Sequence, residues 1–255
     1  MAVRPSAQQS EQAERAPIAA EIFLRSLAEH GVDYFFANPG TDFPPIVEAF
    51  GRAKKTNARV PQPVLVPHEN LAIAMAHGAY LMTGRPQAVM VHVNVGTANT
   101  INNIANLARD RAPIILAAGR TPITEKGSFG SRSRPIHWAQ EMFDQAGMVR
   151  EFVKWDYELR VPEQVADVVA RAHEVAMTTP RGPVYLVLPR EPLSASLSFT
   201  NFARRNFARG ARRLRRASMR GCTPANRAAS AALSASSEAP GSAAIARSER
   251  KLRIG

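Results

Sequence analysis

Residues 64–119, VLVPHENLAIAMAHGAYLMTGRPQAVMVHVNVGTANTINNIANLARDRAPIILAAG, contain the alternation that decides the fold. Three short apolar runs, VLVPH, AVMVHV and PIILAAG, are typical of strands, and the two longer segments between them have the length and composition of helices. Each strand-like run is apolar along its whole length. We therefore expect both faces of each strand to be buried, as in a parallel sheet that is covered by helices on both sides.

The same alternation extends in both directions from this stretch. Upstream, AAEIFLRSLAEHG predicts a helix that ends at Gly31, VDYFFA a strand, and FPPIVEAFGRA a second helix. Downstream come the loop TPITEKGSFGSRSRP, a helix from about His137 to Ala146, a strand MVREFVKW, the helix PEQVADVVARAHEVAMTT and the strand PVYLVLP. The sequence therefore predicts an α/β fold, a doubly wound six-stranded parallel sheet with helices on both faces.

Composition divides the chain into three parts. A polar leader spans residues 1–17, the α/β domain residues 18–192, and a tail rich in Arg, Ala and Ser residues 193–255. The tail has no sustained apolar period, so we expect it to be disordered. Residues 199–255 hold 13 of the 33 basic residues but only two of the 21 acidic ones, so the net charge of +12 belongs almost entirely to the tail. We expect nucleic acid to be bound only non-specifically, through this tail.

The cysteine count and the hydropathy bear on the compartment. Cys222 is the single cysteine, so the chain can form neither an intrachain disulfide nor a cluster of thiolate metal ligands, which fits a reducing cytoplasm. No window approaches the roughly 18–20 apolar residues of a membrane span, and the start of the sequence has no apolar stretch of signal-peptide length. We therefore expect a cytoplasmic protein with no membrane partner.

One carboxylate, Glu69, lies at the junction of a predicted strand and a predicted apolar helix. Such junctions at the carboxyl ends of parallel strands are where α/β sheets bind ligands. Two interpretations are open. Glu69 is either an acid of the first helical turn, stabilised by the helix dipole, or a functional acid in a site.

Several segments recur in a consistent order and spacing, namely His68-Glu69 before a helix of small residues, Val95-Gly96-Thr97-Ala98-Asn99, the strand from Pro113 to Gly119 with Arg120-Thr121, Phe36-Ala37-Asn38-Pro39-Gly40-Thr41, and Gln140-Glu141. Together they resemble the acetolactate synthase and benzoylformate decarboxylase family of thiamine-diphosphate-dependent enzymes. The resemblance covers about Ala19 to Pro192 and is to the N-terminal pyrimidine-binding domain of such an enzyme. Ala37 and Asn38 stand in place of residues that are commoner in the family.

The resemblance implies thiamine diphosphate as cofactor and Glu69, His92 and Thr41 as catalytic residues. Glu69 would hydrogen-bond a ring nitrogen of the cofactor's aminopyrimidine and favour the tautomer that removes a proton from the thiazolium carbon, a role that suits a carboxyl group in apolar surroundings. His92 falls where the decarboxylases carry an active-site histidine and the acetolactate synthases do not. Thr41 falls where those decarboxylases carry a serine. The residues implied to bind the cofactor are Glu69, Pro39, Gly40, Gly96, Asn99 and Gln140, and no metal ligand is predicted in this chain.

Simpler structural roles stand beside these. His92 could be a core histidine on a strand, and Thr41 and Asn99 could cap helices. The loop arginines Arg132 and Arg134 could meet an anionic substrate or the phosphates of a flavin, or could be solvated. Whether the chain binds FAD stays open. We expect the following apolar residues in the core: Met75, Met82, Met90, Phe35, Phe36 and Phe50.

The family also uses a second module, which holds the cofactor's diphosphate through Mg²⁺ with a Gly-Asp-Gly motif and a later asparagine. No Gly-Asp-Gly occurs in this sequence. We therefore expect the chain alone to be inactive, either as a truncated or frame-shifted product or as one part of a split enzyme. Its partner would be a second copy in a homodimer or a chain that carries the diphosphate-binding domain, and its substrate a small 2-oxo acid. The alternative is a non-catalytic binding or scaffold protein whose basic tail binds a polyanion.

Overall fold

The computed structural model describes residues 16–197. Most of the predicted leader and most of the predicted basic tail lie outside these residues. The described chain continues past residue 192, because Leu193 is fully buried and the backbone amide of Leu197 donates to the carbonyl of Pro17 at 2.8 Å. The two ends of the described chain therefore lie next to each other.

Six strands form one parallel sheet. They are β1 (Tyr34–Ala37), β2 (Gln62–Leu65), β3 (Ala88–Val91), β4 (Ile115–Arg120), β5 (Asp156–Glu158) and β6 (Val184–Pro189). Their order across the sheet is β2-β1-β3-β4-β6-β5, and every neighbouring pair is parallel. The predicted fold class and strand count are confirmed, and all six carboxyl ends lie along one edge of the sheet.

Helices connect the strands. They are α1 (Ala19–Glu29), α2 (Pro44–Thr56), α3 (Glu69–Thr83), α4 (Val93–Arg109), α5 (Ile136–Ala139), α6 (Val165–Met177) and α7 (Arg190–Ser194), with 3₁₀ turns at Ala146–Met148 and Pro162–Gln164. Local chemistry explains two of the starts: the Glu21 carboxylate accepts from the Ile18 amide at 3.0 Å before α1, and α2 begins with a proline, which needs no amide partner there. Between residues 16 and 197, no helix is long and apolar enough to cross a membrane.

The sheet separates two apolar layers, and the side chains of each strand alternate between them. Helices α1, α2, α6 and α7 cover one face, where they pack with Phe35 and Met90. Helices α3 and α4 cover the other face, where they pack with Phe36 and Val89. The predicted doubly wound arrangement is confirmed, as is the burial of Met90, Phe35 and Phe36, whereas Phe50 is only partly buried.

Two predictions of burial are wrong. β2 is an edge strand that contacts mainly β1, so its side chains are largely exposed, with Leu65 at 77%. On α3, Met75 and Met82 are 39% and 86% exposed, because the helix turns Ile73 and Ala76 towards the sheet instead. Apolar composition alone did not reveal which side of α3 meets the core.

The segment between β4 and β5 also differs from its prediction. The helix predicted from His137 to Ala146 is a single turn, α5, and residues 148–155 form no strand, since β5 comes after them. Side chains in this segment bind distant groups instead of supporting a helix: Glu141 accepts from Thr121 at 3.0 Å and pairs with Arg120 at 2.9 Å. These tertiary interactions override the local propensity.

Candidate active site

The carboxyl ends of β1, β2 and β3 bring the predicted site residues together. The loop after β1 carries Pro39 to Asp42, Glu69 follows β2, and His92 follows β3. After β1 the chain enters α2 on one face of the sheet, whereas after β3 it enters α4 on the opposite face. The two loops diverge between these neighbouring strands, and such a topological switch point is where open α/β sheets bind ligands.

Glu69 is the first residue of α3 and is nearly buried, with 8% of its surface exposed. The helix cap is provided by His68, whose Nδ1 accepts from the Asn70 amide at 3.2 Å, so the Glu69 carboxylate is not needed for capping. Asn99 Nδ2 donates to Oε2 of Glu69 at 3.1 Å. From residues 16–197 no hydrogen bond reaches the other oxygen, Oε1, which leaves it available to a ligand.

Asn99 and Gly96 lie in the first two turns of α4. The cap position of α4 is occupied by His92, so the interpretation of Asn99 as a helix cap is wrong. Asn99 instead reaches Glu69 across the groove between α4 and α3. Gly96 is buried, and its amide donates to the carbonyl of His92 at 2.7 Å.

His92 is half-buried and directly follows β3. Its Nδ1 lies 2.6 Å from Oδ1 of Asp42, and its Nε2 lies 3.4 Å from Nε2 of Gln140. The hydrogen bond to the Asp42 carboxylate raises the pKa of His92; burial opposes this, and the negative charges of Asp42 and Glu69 add to it. His92 is therefore a half-buried histidine that is paired with an acid.

Asp42 is the site residue that the sequence analysis missed. Only 2% of its side chain is exposed, and its Oδ2 accepts from the Val93 amide at 3.3 Å. Asp42 stands two residues beyond the Pro39-Gly40 turn, on the loop after β1. The neighbouring strand, β3, places His92 beside that loop, but no local pattern encodes this strand order.

Thr41 and Pro39 are exposed on the loop after β1. Helix α2 begins at Pro44 with Phe43 at its cap position, so the interpretation of Thr41 as a helix cap is wrong. The Thr41 carbonyl accepts from Nη1 of Arg190 at 3.2 Å. Thr41 lines a narrow cleft that Asp42 and Gln140 also line.

Gln140 ends the short helix α5 beside His92. Its backbone carbonyl accepts from Asn94 Nδ2 at 3.1 Å, which ties this loop to the start of α4. Its side-chain Oε1 is buried and has no partner within residues 16–197.

The two loop arginines have different surroundings. The Arg132 side chain is 12% exposed, lies over the ring of Trp138 at 5.7 Å, and pairs with Glu125 at 3.1 Å and with Glu141. The interpretation of Arg132 as a solvated loop residue is therefore wrong. Arg134 is exposed.

At this edge of the sheet the chain thus holds a carboxylate with an available oxygen and, beside it, a histidine bonded to a second carboxylate. Such groups can hydrogen-bond a ligand and exchange protons with it. Within the described residues, no cluster of three or more His, Cys, Asp or Glu side chains is arranged to hold a metal ion.

Known proteins resemble the chain over this domain. The benzoylformate decarboxylase of Pseudomonas aeruginosa is 27% identical over 163 residues, which make up 64% of this chain and 28% of that protein. The acetolactate synthase of Arthrospira platensis is 26% identical over 192 residues, 75% of this chain and 31% of that protein. The chain thus spans less than a third of the length of these relatives.

A solved structure and a family model agree with this likeness. The crystal structure of benzoylformate decarboxylase from Polynucleobacter necessarius superposes with a TM-score of 0.60 at 22% identity, over 72% of this chain and 32% of that chain, which shows a shared fold. Residues 18–148 match the family described as thiamine pyrophosphate enzyme, N-terminal TPP binding domain. This chain, by that match and by its α/β fold, belongs to the thiamine pyrophosphate enzyme family through its N-terminal TPP-binding domain.

Proposed function

We propose that the chain supplies the pyrimidine-binding part of a thiamine-diphosphate-dependent enzyme that decarboxylates or ligates 2-oxo acids. The observation that carries this proposal is the environment of Glu69, whose carboxylate is nearly buried, held at one oxygen by Asn99 and available at the other. The bound cofactor supplies the electron sink that the chemistry of 2-oxo acids requires.

The side chains at the site fit an aminopyrimidine, which offers both donors and acceptors of hydrogen bonds. Asn99 fixes the direction of the Glu69 carboxylate, so that Oε1 would share a proton with a ring nitrogen of the bound aminopyrimidine. Within residues 16–197, three buried side-chain oxygens lack a partner, and they are Oδ1 of Asn70, Oε1 of Gln140 and Oε2 of Glu191. Buried polar atoms normally have a hydrogen-bond partner. Asn70 adjoins Glu69 and Gln140 contacts His92, so the unpartnered oxygens of these two side chains support the proposal of a ligand at the site. The residues that would surround the bound aminopyrimidine are Pro39, Gly40, Gly96, Asn99 and Gln140.

His92 and Thr41 favour the decarboxylase side of the family. His92 offers Nε2 for proton exchange close to the Glu69 carboxylate, whose charge acts on the ring. Thr41, which carries a hydroxyl, is among the residues that line the cleft. The substrate proposed is a small 2-oxo acid, as in the benzoylformate decarboxylases that the chain resembles.

The proposed active form includes a diphosphate-binding domain, with its Mg²⁺, from a second copy or from another polypeptide. Support comes from apolar side chains that lie exposed on the α3 and α4 side of the domain. They are Leu71, Met75, Leu81 and Met82 on α3 and Val95 on α4. Exposed apolar residues in such a group are typical of a surface that meets another protein. A cytoplasmic location belongs to the same proposal.

The substitution Glu69→Gln tests the function. The full chain is isolated with the polypeptides that co-purify with it and supplied with thiamine diphosphate, Mg²⁺ and benzoylformate or pyruvate. Glutamine keeps the shape of the side chain and an oxygen for Asn99 but accepts no proton. We expect turnover to fall by about 10²–10⁴-fold and calorimetry to show thiamine diphosphate bound about 10–100-fold more weakly, since a hydrogen bond to a charged group is lost.

Glu163→Gln is the matched control. Glu163 is an exposed acid at the start of a 3₁₀ turn before α6, and its substitution should leave both measurements unchanged. If Glu69→Gln behaves like this control, Glu69 has no role in activating a cofactor. Unaltered cofactor affinity would then favour a non-catalytic binding protein.

A further inference from the structure

We propose that Asp42 is a positioning residue, which fixes a proton of His92 on Nδ1 and thereby leaves Nε2 as the nitrogen that gains and loses a proton in the site. The use of this pair in catalysis rests on the function proposed above. The geometry of the pair, and its test, need neither cofactor nor substrate.

The two oxygens of Asp42 are each directed at a different donor. Oδ1 lies 2.6 Å from His92 Nδ1, and Oδ2 lies 3.3 Å from the amide of Val93. An ionised carboxylate only accepts hydrogen bonds, so the short contact requires a hydrogen on Nδ1 of the ring. Because the Asp42 side chain is almost wholly buried, water does not compete for either contact.

The other side of the ring meets an amide that suits both protonation states. Gln140 Nε2 lies 3.4 Å from His92 Nε2, where an amide N–H can donate to the unprotonated nitrogen. When Nε2 carries a proton, a half-turn of the same amide presents Oε1, which has no partner within residues 16–197. Gln140 therefore accommodates both states of Nε2, whereas Asp42 accommodates a single state of Nδ1.

The backbone around the pair leaves room for it. A Cβ atom at Gly40 would lie 2.2 Å from His92 Nδ1, and one at Gly119 would lie 1.8 Å from Oδ2 of Asp42. Any larger residue at either position would displace the pair. The residue after the histidine, Val93, has a φ of +36°, a left-handed conformation that is unusual for a β-branched residue and that points its amide at Asp42.

Two acids act on His92 in the described part of the chain, Asp42 from the loop after β1 and Glu69 from the start of α3. The hydrogen bond to Asp42 has the largest effect on the pKa of His92 and raises it. Asp42 thus determines both where the ring is protonated and how readily. A role confined to packing would determine neither.

The test is nitrogen NMR of the full, cofactor-free chain labelled with ¹⁵N-histidine. The chain contains six histidines, and the loss of one set of signals in His92→Gln assigns His92. Between pH 5 and 9 in the wild type, we expect the neutral ring to carry its hydrogen on Nδ1 and its pKa to lie above the ordinary histidine value of about 6.5. In Asp42→Asn, we expect at least about tenfold weaker proton binding, one pKa unit, and a mixture of the two neutral tautomers.

Asparagine is informative because it is nearly the same size but has one oxygen and one NH₂ group, so it cannot accept from both His92 and Val93. Asp33→Asn is the matched control, since Asp33 pairs with Arg85 at 2.7 Å just before β1, at the opposite edge of the sheet. It should leave the His92 titration unchanged.

Each outcome decides the proposal. A wild-type His92 with its hydrogen on Nε2, or a titration at or below 6.5, overturns it, as does a folded Asp42→Asn with unchanged His92 signals. If Asp42→Asn does not fold, the wild-type tautomer and titration decide alone. Should His92 behave as expected while Glu69→Gln proves silent in turnover, the Asp42–His92 pair stands and only the cofactor assignment fails.

Discussion

The two helical layers that cover the sheet differ in how completely their apolar residues are buried. On α1, Phe23 and Leu27 are at most 1% exposed. On α3, Leu81 and Met82 are 65% and 86% exposed, although this helix is the more apolar of the two. The layer that contains α1 is closed towards the sheet, whereas the layer that contains α3 has an apolar outer side.

The difference originates in the sequences of the two helices. In α1 the apolar residues repeat on one side and polar residues occupy the other, as in a helix that meets water. In α3, ENLAIAMAHGAYLMT, apolar residues surround most of the helix, which is the pattern of a helix that is covered on several sides. The sheet covers just one side of α3. The outer side of α3 is thus where we expect this domain to meet another protein surface.

The largest expected effect is a difference in the free energy of unfolding between two leucine-to-alanine substitutions, one in each layer. Leu27→Ala, on the closed layer, removes a fully buried side chain and should lower the free energy of unfolding by about 2–5 kcal/mol. Leu81→Ala, on the outer side of α3, should change it by less than about 0.5 kcal/mol. Urea unfolding of both variants at low protein concentration measures the contrast.

The same pair of variants also reports on assembly. If Leu81→Ala costs as much as Leu27→Ala, and costs more as protein concentration rises, the outer side of α3 is buried in solution by a second copy of the chain. Equal and small effects at both positions would instead contradict the closed core described for α1.

Much of the fold followed from the sequence, because long apolar runs that alternate with helical segments have few other solutions. β3, β4 and β6 were predicted within a few residues, since their side chains are buried on both faces. β2 and the stretch before β5 were predicted poorly. Edge strands lack the burial that produces a clear pattern, and ion pairs such as that of Glu141 with Arg120 depend on residues far away in the chain.

The sequence predicts a site residue that lies at a single strand-to-helix junction, but it does not predict a contact between residues on two different loops. Glu69 was placed by the strand-to-helix junction in which it lies. Asp42 and His92 belong to two different loops, and only the neighbouring positions of β1 and β3 bring them to 2.6 Å. A search for acids on the loops of strands that are adjacent in the sheet, rather than adjacent in sequence, would have included Asp42.

The inner side of the α3 and α4 layer contains a buried tyrosine whose hydrogen bonds should contribute to stability. Tyr185 is fully buried there, and its hydroxyl lies 2.7 Å from Thr97 Oγ1 and accepts from Gln145 Nε2 at 2.9 Å. Burial raises the pKa of Tyr185 to about 12, so the hydroxyl stays neutral. Tyr185→Phe should cost about 1–3 kcal/mol of unfolding free energy, because two buried polar groups lose a partner.

Tyr34→Phe is the control for this substitution. Tyr34 is half-buried at the start of β1, and its ring packs beside Phe36 at 5.9 Å. Loss of its hydroxyl should change the unfolding free energy by less than about 0.5 kcal/mol. A Tyr185→Phe variant as stable as Tyr34→Phe would mean that the polar contacts beneath α4 are not maintained in solution.

The smallest expected effect is a dependence on pH that originates in the closed layer. His173, on α6, lies with its ring centroid 5.0 Å from that of His30, which follows the last residue of α1. Burial, with a smaller contribution from the charge of His30, lowers the pKa of His173 to about 4. In the unfolded chain the same group titrates near about 6.5, so between these two values the unfolded state binds more protons than the folded state.

The contribution of neutral His173 to the free energy of unfolding is therefore fully present above about pH 6.5 and is lost as the pH falls towards 4. Because His173 is only partly buried and solvent weakens the effect, we expect its contribution to the free energy of unfolding to fall by about 1–2 kcal/mol between pH 7 and 4.5, which urea unfolding at several pH values measures. His173→Gln should remove that part of the slope. His92 works in the opposite direction, because its raised pKa adds stability below pH 6.5 that is lost as the pH rises through its folded value. An acid-side slope that is identical in the wild type and His173→Gln would show that the closed layer admits a charged histidine, and that it is less closed than the exposure of its apolar residues indicates.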